Sequence, residues 1–337
     1  MSHHPPRLAV ITLGGTIASM PDSSGGSAVP TLTAEALFDM VPQIRGLATL
    51  TATTFRQYPS GDLAIEDILE LAQLIDTMAA EGIVGVVITQ GTDTLEETSF
   101  LLDLLLTSDI PVVLTGAMRN PGLPGADGPA NLVGAVQVAV DGKIAGLGPV
   151  VVFGDEIHLA RFVRKTHSSS VTAFCSPNAG PIGWITEGRV QVPVIPRFRT
   201  ERIAVPAGSE STIPQVALVK LGLGMDSAMI DALVGSAAGI DGVVLESFGG
   251  GHVPGKLMPA LTEAALKYPV VFATRTGAGE LYESTYGFPG SEKDLLANGL
   301  LSAGVLDGLK ARLLLTLLLA AGASREDIRE RFLNSTL

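Results

Sequence analysis

Near-continuous runs of valine, isoleucine and leucine recur along the N-terminal half of the chain: residues 8–13, 83–89 (IVGVVIT), 111–115 (PVVLT) and 149–153 (PVVVF). A strand that alternates apolar and polar positions has one wet face, whereas a strand apolar at almost every position is covered on both. Between these runs the apolar positions recur at helical spacing, over 62–80, 94–107 and 128–140. Strand followed by helix, repeated, predicts an α/β unit with a mainly parallel sheet. The stretch 181–194 (PIGWITEGRVQVPV) alternates around Glu187-Gly188 and predicts a hairpin that closes the unit. Residues 195–214 hold three prolines and show no period, so they read as a linker. The rhythm then restarts, with strands at 215–221, 241–247 and 269–274, helices at 226–237 and 257–267, and two closing helices at 307–321 and 325–333. Ser324 and Asp327 have the spacing of an N-cap and its acidic partner. The expected organisation is a larger N-terminal α/β domain (1–194), a linker (195–214) and a smaller C-terminal α/β domain (215–337). Residues 20–30, rich in glycine and serine, are expected to be mobile.

Composition narrows the function classes. At 337 residues the chain exceeds one ordinary core, which agrees with two domains. A net charge of −12 without a lysine-rich run makes nucleic acid and anionic membrane poor partners and leaves a small polar substrate open. The longest apolar run, near 313–321, is too short to span a bilayer. Cys175 is the single cysteine, so neither an internal disulfide nor a thiolate cluster can form. The N-terminus lacks a secretory apolar segment, and a cytoplasmic enzyme is the expectation.

Two loops carry candidate chemistry. The first strand runs into Gly14-Gly15-Thr16, which is either an ordinary turn or a place where backbone and substrate approach closely with Thr16 as nucleophile. The second ends in TQGTDTLEET, where Thr94 and Glu97 have capping-box spacing and Thr92, Asp93 and Thr94 are all residue types that cap helices. One helix uses one N-cap, so three candidates after a glycine are redundant. Both loops follow carboxyl ends of strands, where ligands of open α/β sheets bind. A threonine hydroxyl is a weak nucleophile until a base takes its proton. None of the histidines (His3, His4, His158, His167, His252) falls in either loop. A lysine serves if burial lowers its pKa, and the first 200 residues offer Lys143, in a polar turn, and Lys165, just past the fourth strand. By position alone Lys165 reads as a surface charge rather than a base. The dinucleotide fingerprint fails because Ile17, Ala18 and Ser19 follow the glycines, no G-x-S-x-G elbow is present, and metal ligands do not cluster. The serine loop SSGGSA (23–28) lacks the upstream lysine that an amidase-signature hydrolase needs.

TLGGTIA (12–18) together with TQGTDTLEET (89–98) resembles the paired active-site signatures of the bacterial-type L-asparaginases. LTGAMR (114–119), ADGPANL (126–132), the Lys165 segment and KARLLLTLLL (310–319) follow in the same order, so the resemblance covers nearly the whole chain. It implies an asparagine amidohydrolase that works without cofactor or metal and assembles as a homotetramer, a dimer of dimers. Thr16 matches the primary nucleophile, and Thr92, Asp93 and Lys165 match a second triad. Asp93 would also bind the substrate α-ammonium and Ser60 its α-carboxylate. The main-chain N–H groups of Thr92 and Ala117 would form the oxyanion hole, and Gly15, Gly61 and Gly91 would line the substrate site. Glu280 or Glu283 would complete a neighbouring subunit's cleft. Three departures stand out. Gly61 occupies a position where the family often has glutamine. The tyrosines are Tyr58, Tyr268, Tyr282 and Tyr286, so none lies in loop 20–30. His252 stands where some relatives have asparagine. The resemblance therefore leaves asparagine versus glutamine open, with asparagine expected from Gly61, and keeps two alternatives: a broader asparaginase/glutaminase, and a silent amino-acid binding relative. An amidotransferase-linked relative would need an RNA-associated domain for which no residues remain.

Overall fold

In the computed structural model, residues 5–21, 28–30, 33–206, 213–235 and 239–334 are described. The glycine-serine stretch expected to be mobile falls largely outside them, as do 207–212 of the expected linker. The chain forms two units, Met1–Arg202 and Ile203–Leu337.

The strands of the first unit are β1 (Arg7–Thr12), β2 (Ser19–Pro21), β3 (Ala28–Pro30), β4 (Thr49–Thr54), β5 (Gly85–Thr89), β6 (Val112–Thr115), β7 (Val150–Phe153), β8 (Glu156–Leu159), β9 (Arg164–Lys165), β10 (Phe174–Cys175), β11 (Gly183–Thr186) and β12 (Arg189–Gln191). Its α-helices are α1 (Ala34–Met40), α2 (Ile65–Ala80), α3 (Leu95–Leu105) and α4 (Gly128–Asp141). Eight strands form one sheet in the order β12-β11-β8-β7-β6-β5-β1-β4. From β4 to β7 all neighbours are parallel, and β8, β11 and β12 are added antiparallel at the far edge. The all-apolar runs are the central strands: β5, β6 and β7 are buried at every position and β1 at all but Arg7. The hairpin forms around Glu187 and Gly188, which both take positive φ (52° and 72°), as a two-residue turn matched to strand twist requires. β4 (TLTATT) was not expected. It is a half-exposed, threonine-rich strand at the edge of the sheet, paired with β1.

The order along the sheet fixes where a ligand site can lie. After β1 the chain goes to one side of it, to β4, and then crosses to the other side, to β5. In open α/β sheets a ligand binds at such a reversal, so the carboxyl ends of β1 and β5 are where a site is expected.

Near the end of this unit, residues expected to be linker are clasped to it. Arg199 Nη1 and Arg202 Nη2 donate to Asp109 at 2.7 and 2.6 Å, and Arg199 Nε lies 4.0 Å from the buried Asp103 carboxylate.

The second unit contains β13 (Val216–Lys220), β14 (Gly242–Ser247), β15 (Val270–Thr274) and β16 (Leu301–Ser302), with α5 (Ala228–Gly235), α6 (Met258–Lys267), α7 (Glu292–Ala297), α8 (Gly308–Ala320) and α9 (Arg325–Asn334). Its four strands form a parallel sheet in chain order. α8 is buried on nearly every side and packs on β13, β14 and β15. Its N-cap Asp307 accepts from Lys310 N, and Ser324 and Asp327 form the reciprocal cap at the start of α9, as their spacing predicts.

Candidate active site

The glycines after β1 answer a packing demand. Gly14 and Gly15 both take positive φ, 97° and 85°, a region L side chains rarely enter. A methyl group on Gly15 would lie 2.1 Å from Gly91 N and 2.3 Å from Gly91 Cα, and one on Gly14 would lie 2.6 Å from Tyr58 O. The loop after β1 therefore touches the loop after β5 backbone to backbone, with no room for a Cβ. Leu13 N donates to Thr89 O at 2.9 Å and ties the ends of the two strands. Thr16 and Thr92 are the chain neighbours of these two contacting glycines. Thr16 is half-buried at the start of a short 3-10 turn (Thr16–Ala18), and Thr92 is buried.

Further groups converge on the same edge of the sheet. A methyl on Gly91 would lie 2.8 Å from Ser60 Oγ, which places buried Ser60, in the loop after β4, against the loop after β5. Thr94 does not form the expected capping box. The Thr94 side chain makes no cap bond at the start of α3. The Thr94 hydroxyl instead donates to Ser60 O at 2.8 Å and accepts from Gln90 Nε2 at 3.0 Å. Its task is to join two loops rather than to end a helix. A methyl on Gly116 would meet Gln90 O at 2.5 Å and Thr92 Cγ2 at 3.3 Å. The next residue, Ala117, lies beside Ile17, because a methyl on Gly128 would touch both. This third loop is held by Asp127, whose carboxylate accepts from Met118 N at 2.9 Å and Arg119 N at 2.8 Å, and by Asn131 Nδ2, which donates to Gly116 O at 3.0 Å. Gly61 differs from Gly14, Gly15, Gly91 and Gly116: nothing lies within 4 Å of a Cβ built on it.

Lys165 is not a surface charge. Its side chain is largely buried, and its Nζ donates to Thr92 Oγ1 at 2.8 Å and Asp93 Oδ1 at 2.6 Å. Asp93 itself remains 79% exposed, so its second oxygen can meet a ligand. β9, which carries Lys165, pairs with β10. The residue after β10, buried Ser176, bonds to His158 Nδ1 of β8 at 3.0 Å. Burial holds the His158 ring below its ordinary pKa against the pull of Glu156.

The first unit thus brings together the neighbourhoods of Gly15, Thr16, Ser60, Gly91, Thr92, Asp93, Ala117 and Lys165. The remaining candidates lie in the second unit. Glu280 and Glu283 sit in an exposed irregular segment after β15. His252 Nε2 lies 3.2 Å from the buried Glu292 carboxylate, and its ring packs against Tyr286 and Phe288 with centroids 5.0 and 5.2 Å apart.

Comparison with known proteins agrees with this geometry. Residues 7–195 match the family model "Asparaginase, N-terminal", and residues 215–332 match "Glutaminase/Asparaginase C-terminal domain". The chain belongs to the asparaginase family. A probable L-asparaginase from Deinococcus radiodurans is 41% identical over 97% of each chain. An L-asparaginase from Bacillus licheniformis is 36% identical over 97% of this chain and 98% of the relative. Among solved structures, a probable cytoplasmic L-asparaginase from Campylobacter jejuni superposes with a TM-score of 0.86 at 34% identity, covering 97% of this chain and 99% of that one. The paired α/β units and the mainly parallel sheet expected from the sequence are those of the asparaginase fold. Sequence reasoning passed over Glu96, which sits beside the asparaginase signature residues and is buried, with Oε2 accepting from Lys165 N at 3.2 Å.

Proposed function

We propose that this chain hydrolyses the side-chain amide of L-asparagine, releasing L-aspartate and ammonia through an acyl-enzyme on Thr16. The observation that carries the reading is the Thr92–Lys165–Asp93 group, bonded at 2.8 and 2.6 Å beside the Gly15–Gly91 backbone contact. A lysine that donates to a hydroxyl and a carboxylate at once has no evident role on an inert surface. As an ammonium it orders both oxygens; as the free amine it accepts the hydroxyl proton.

In this reading Thr16 Oγ attacks the amide carbon. Negative charge develops on the amide oxygen, where the main-chain N–H groups of Thr92 and Ala117 act as donors. Collapse of the tetrahedral intermediate breaks the C–N bond, and the nitrogen, having taken the proton given up by the Thr16 hydroxyl, leaves as ammonia. Water then attacks the ester, Thr92 and Lys165 pass its proton to Thr16 Oγ as the acyl C–O bond breaks, and aspartate leaves. Asp93 holds the α-ammonium and Ser60 the α-carboxylate, with Gly15, Gly61 and Gly91 as the floor of the substrate site. The working form is a homotetramer in which Glu280 or Glu283 of one subunit reaches the α-ammonium in the next, and its compartment is the cytoplasm. No described helix is long and apolar enough to cross a membrane.

Ammonia release from asparagine and from glutamine, measured for the wild type and Thr16→Ala, tests the reading. The variant should fold normally and lose several orders of magnitude in rate, as removal of one member of a cooperating set does. A Thr16→Ala enzyme that keeps half its activity would remove Thr16 from the mechanism. Asparagine binding without turnover by the wild type would favour the silent binding relative.

A further inference from the structure

β9 is only two residues long, and with β10 it forms an isolated ribbon outside the eight-stranded sheet. Such a ribbon is marginal by itself. In an antiparallel pair, successive N–H groups point alternately toward the partner strand and away from it. Thr166 N donates to Ala173 O across the ribbon at 2.8 Å, so the N–H of Lys165 points to the open side. Glu96 Oε2 is there, 3.2 Å away. Glu96 stands in the first turn of α3, three residues after Asp93, on a helix whose residues are almost all buried. One rigid element therefore carries the Thr92–Asp93 loop and also grips the strand that presents Lys165. The far strand of the ribbon is held separately, through the Ser176–His158 bond to β8. A carboxylate suits the place because the helix N-terminus favours negative charge and a charged acceptor makes the stronger bond.

We propose that Glu96 is a positioning residue for the reaction: by accepting the main-chain N–H of Lys165 it sets Lys165 Nζ on Thr92 and Asp93. The proposal rests on the reading of Lys165 given under Proposed function. It separates Glu96 from Glu97, its neighbour in the same signature, and gives it a task that acts through the backbone of another residue and requires no contact with substrate. Loss of the bond should let the ribbon shift, and a displacement on the order of 1 Å in a reacting group costs about 100-fold in rate.

The test is steady-state ammonia release from asparagine by Glu96→Ala, Glu96→Gln and Lys165→Met, and by the double variant Glu96→Ala/Lys165→Met. Glu96→Ala should lower kcat about 10- to 100-fold with KM nearly unchanged. Glu96→Gln keeps a carbonyl oxygen at the same reach and should recover most of the loss. In the Lys165→Met background, Glu96→Ala should cost nothing further, because two changes acting through one group are not additive. Should Glu96→Ala fail to fold, the Glu96→Gln and Glu96→Asp pair decides, since aspartate withdraws the oxygen by one methylene and should be the slower of the two. Full activity in Glu96→Ala, equal rates in the Gln and Asp variants, or additive losses in the double variant would overturn the positioning role while Lys165→Met stays strongly slowed with a measurable residual rate. An active Lys165→Met enzyme would instead remove the reading of the site itself.

Discussion

The contact between Gly15 and Gly91 can be broken with a single methyl group, and the consequence can be worked out. In Gly15→Ala the new Cβ starts 2.1 Å from Gly91 N, and ordinary contact begins near 3.4 Å, so the two loops must part by about 1.3 Å. The displaced residues are the immediate neighbours of Thr16 and Thr92, the two threonines on which the proposed chemistry depends. A displacement of about 1 Å between reacting groups costs on the order of 100-fold in rate, which is roughly 2.7 kcal/mol of activation free energy. Backbone strain adds a second effect, because an L side chain in the left-handed region costs about 1–2 kcal/mol. The two effects can be separated with Gly142→Ala. Gly142 also has positive φ (75°), at the end of α4, but nothing lies within 4 Å of its built Cβ. That variant carries strain without collision and should lose stability at unchanged kcat/KM. Gly15→Ala should lose stability and about two orders of magnitude in kcat/KM together. Ammonia release, read beside thermal unfolding, measures both. Gly15→Ala with more than half the wild-type kcat/KM would refute the claim that this contact sets the site, and so would an equal loss of rate in Gly142→Ala.

Gly61 has open space around it, so Gly61→Gln should be accommodated and raise kcat/KM for glutamine relative to asparagine; the wild type should favour asparagine, within the roughly 10- to 200-fold that one methylene allows. Equal wild-type values for the two amides, or an unchanged ratio in the variant, would show that Gly61 does not govern the choice. Burial raises the Asp103 carboxyl from 3.8 to about 6, opposed by the Thr200 hydroxyl and by Arg199, Arg161 and Arg202. A raised folded-state pKa contributes stability that is complete below 3.8 and lost as pH rises through 6, so this group should make the protein about 1 kcal/mol less stable at pH 8 than at pH 5. The wild type's margin over Asp103→Asn in urea unfolding should therefore be larger at pH 5 by that amount, and an unchanged margin would refute the assignment. Light scattering at assay concentration should find a tetramer; an active monomer would exclude a contribution of Glu280 or Glu283 across subunits.

How far the structure can be read from the chain depends on whether each residue's partner is near in sequence. The central strands need no partner to be recognised, because burial on both faces is written into IVGVVIT and PVVVF themselves. The Glu187-Gly188 turn and the Ser324–Asp327 cap are local devices, and both form where their spacing places them. β4 is different. TLTATT alternates, with Leu50 and Ala52 packed against the core, but two apolar positions among threonines are a weak signal, and it is a strand because β1 offers it a free edge. Thr94 shows the same limit at one residue. Its spacing to Glu97 is that of a cap, yet its hydroxyl is used by Ser60 O, 34 residues earlier in the chain. A local propensity gives way when a distant loop presents an acceptor at the right place.

The sequence did hold one unused signal, and it bears on Glu96. In LEETSFLLDLL the apolar content alone marks a helix covered on most sides, and burying a polar group without a partner costs free energy that folding rarely leaves uncompensated. Glu96, Ser99 and Asp103 recur at spacings of three and four, so they share one face of that buried helix. Two carboxylates on a buried stripe require donors that the helix cannot supply. The structure meets the demand from segments far along the chain: the main-chain N–H of Lys165 comes to Glu96, and Arg199 approaches Asp103. The same reasoning indicates which substitutions the helix should resist. A polar residue on the stripe can be exchanged only for one that still accepts, which is why glutamine is the informative replacement at Glu96 and alanine the damaging one.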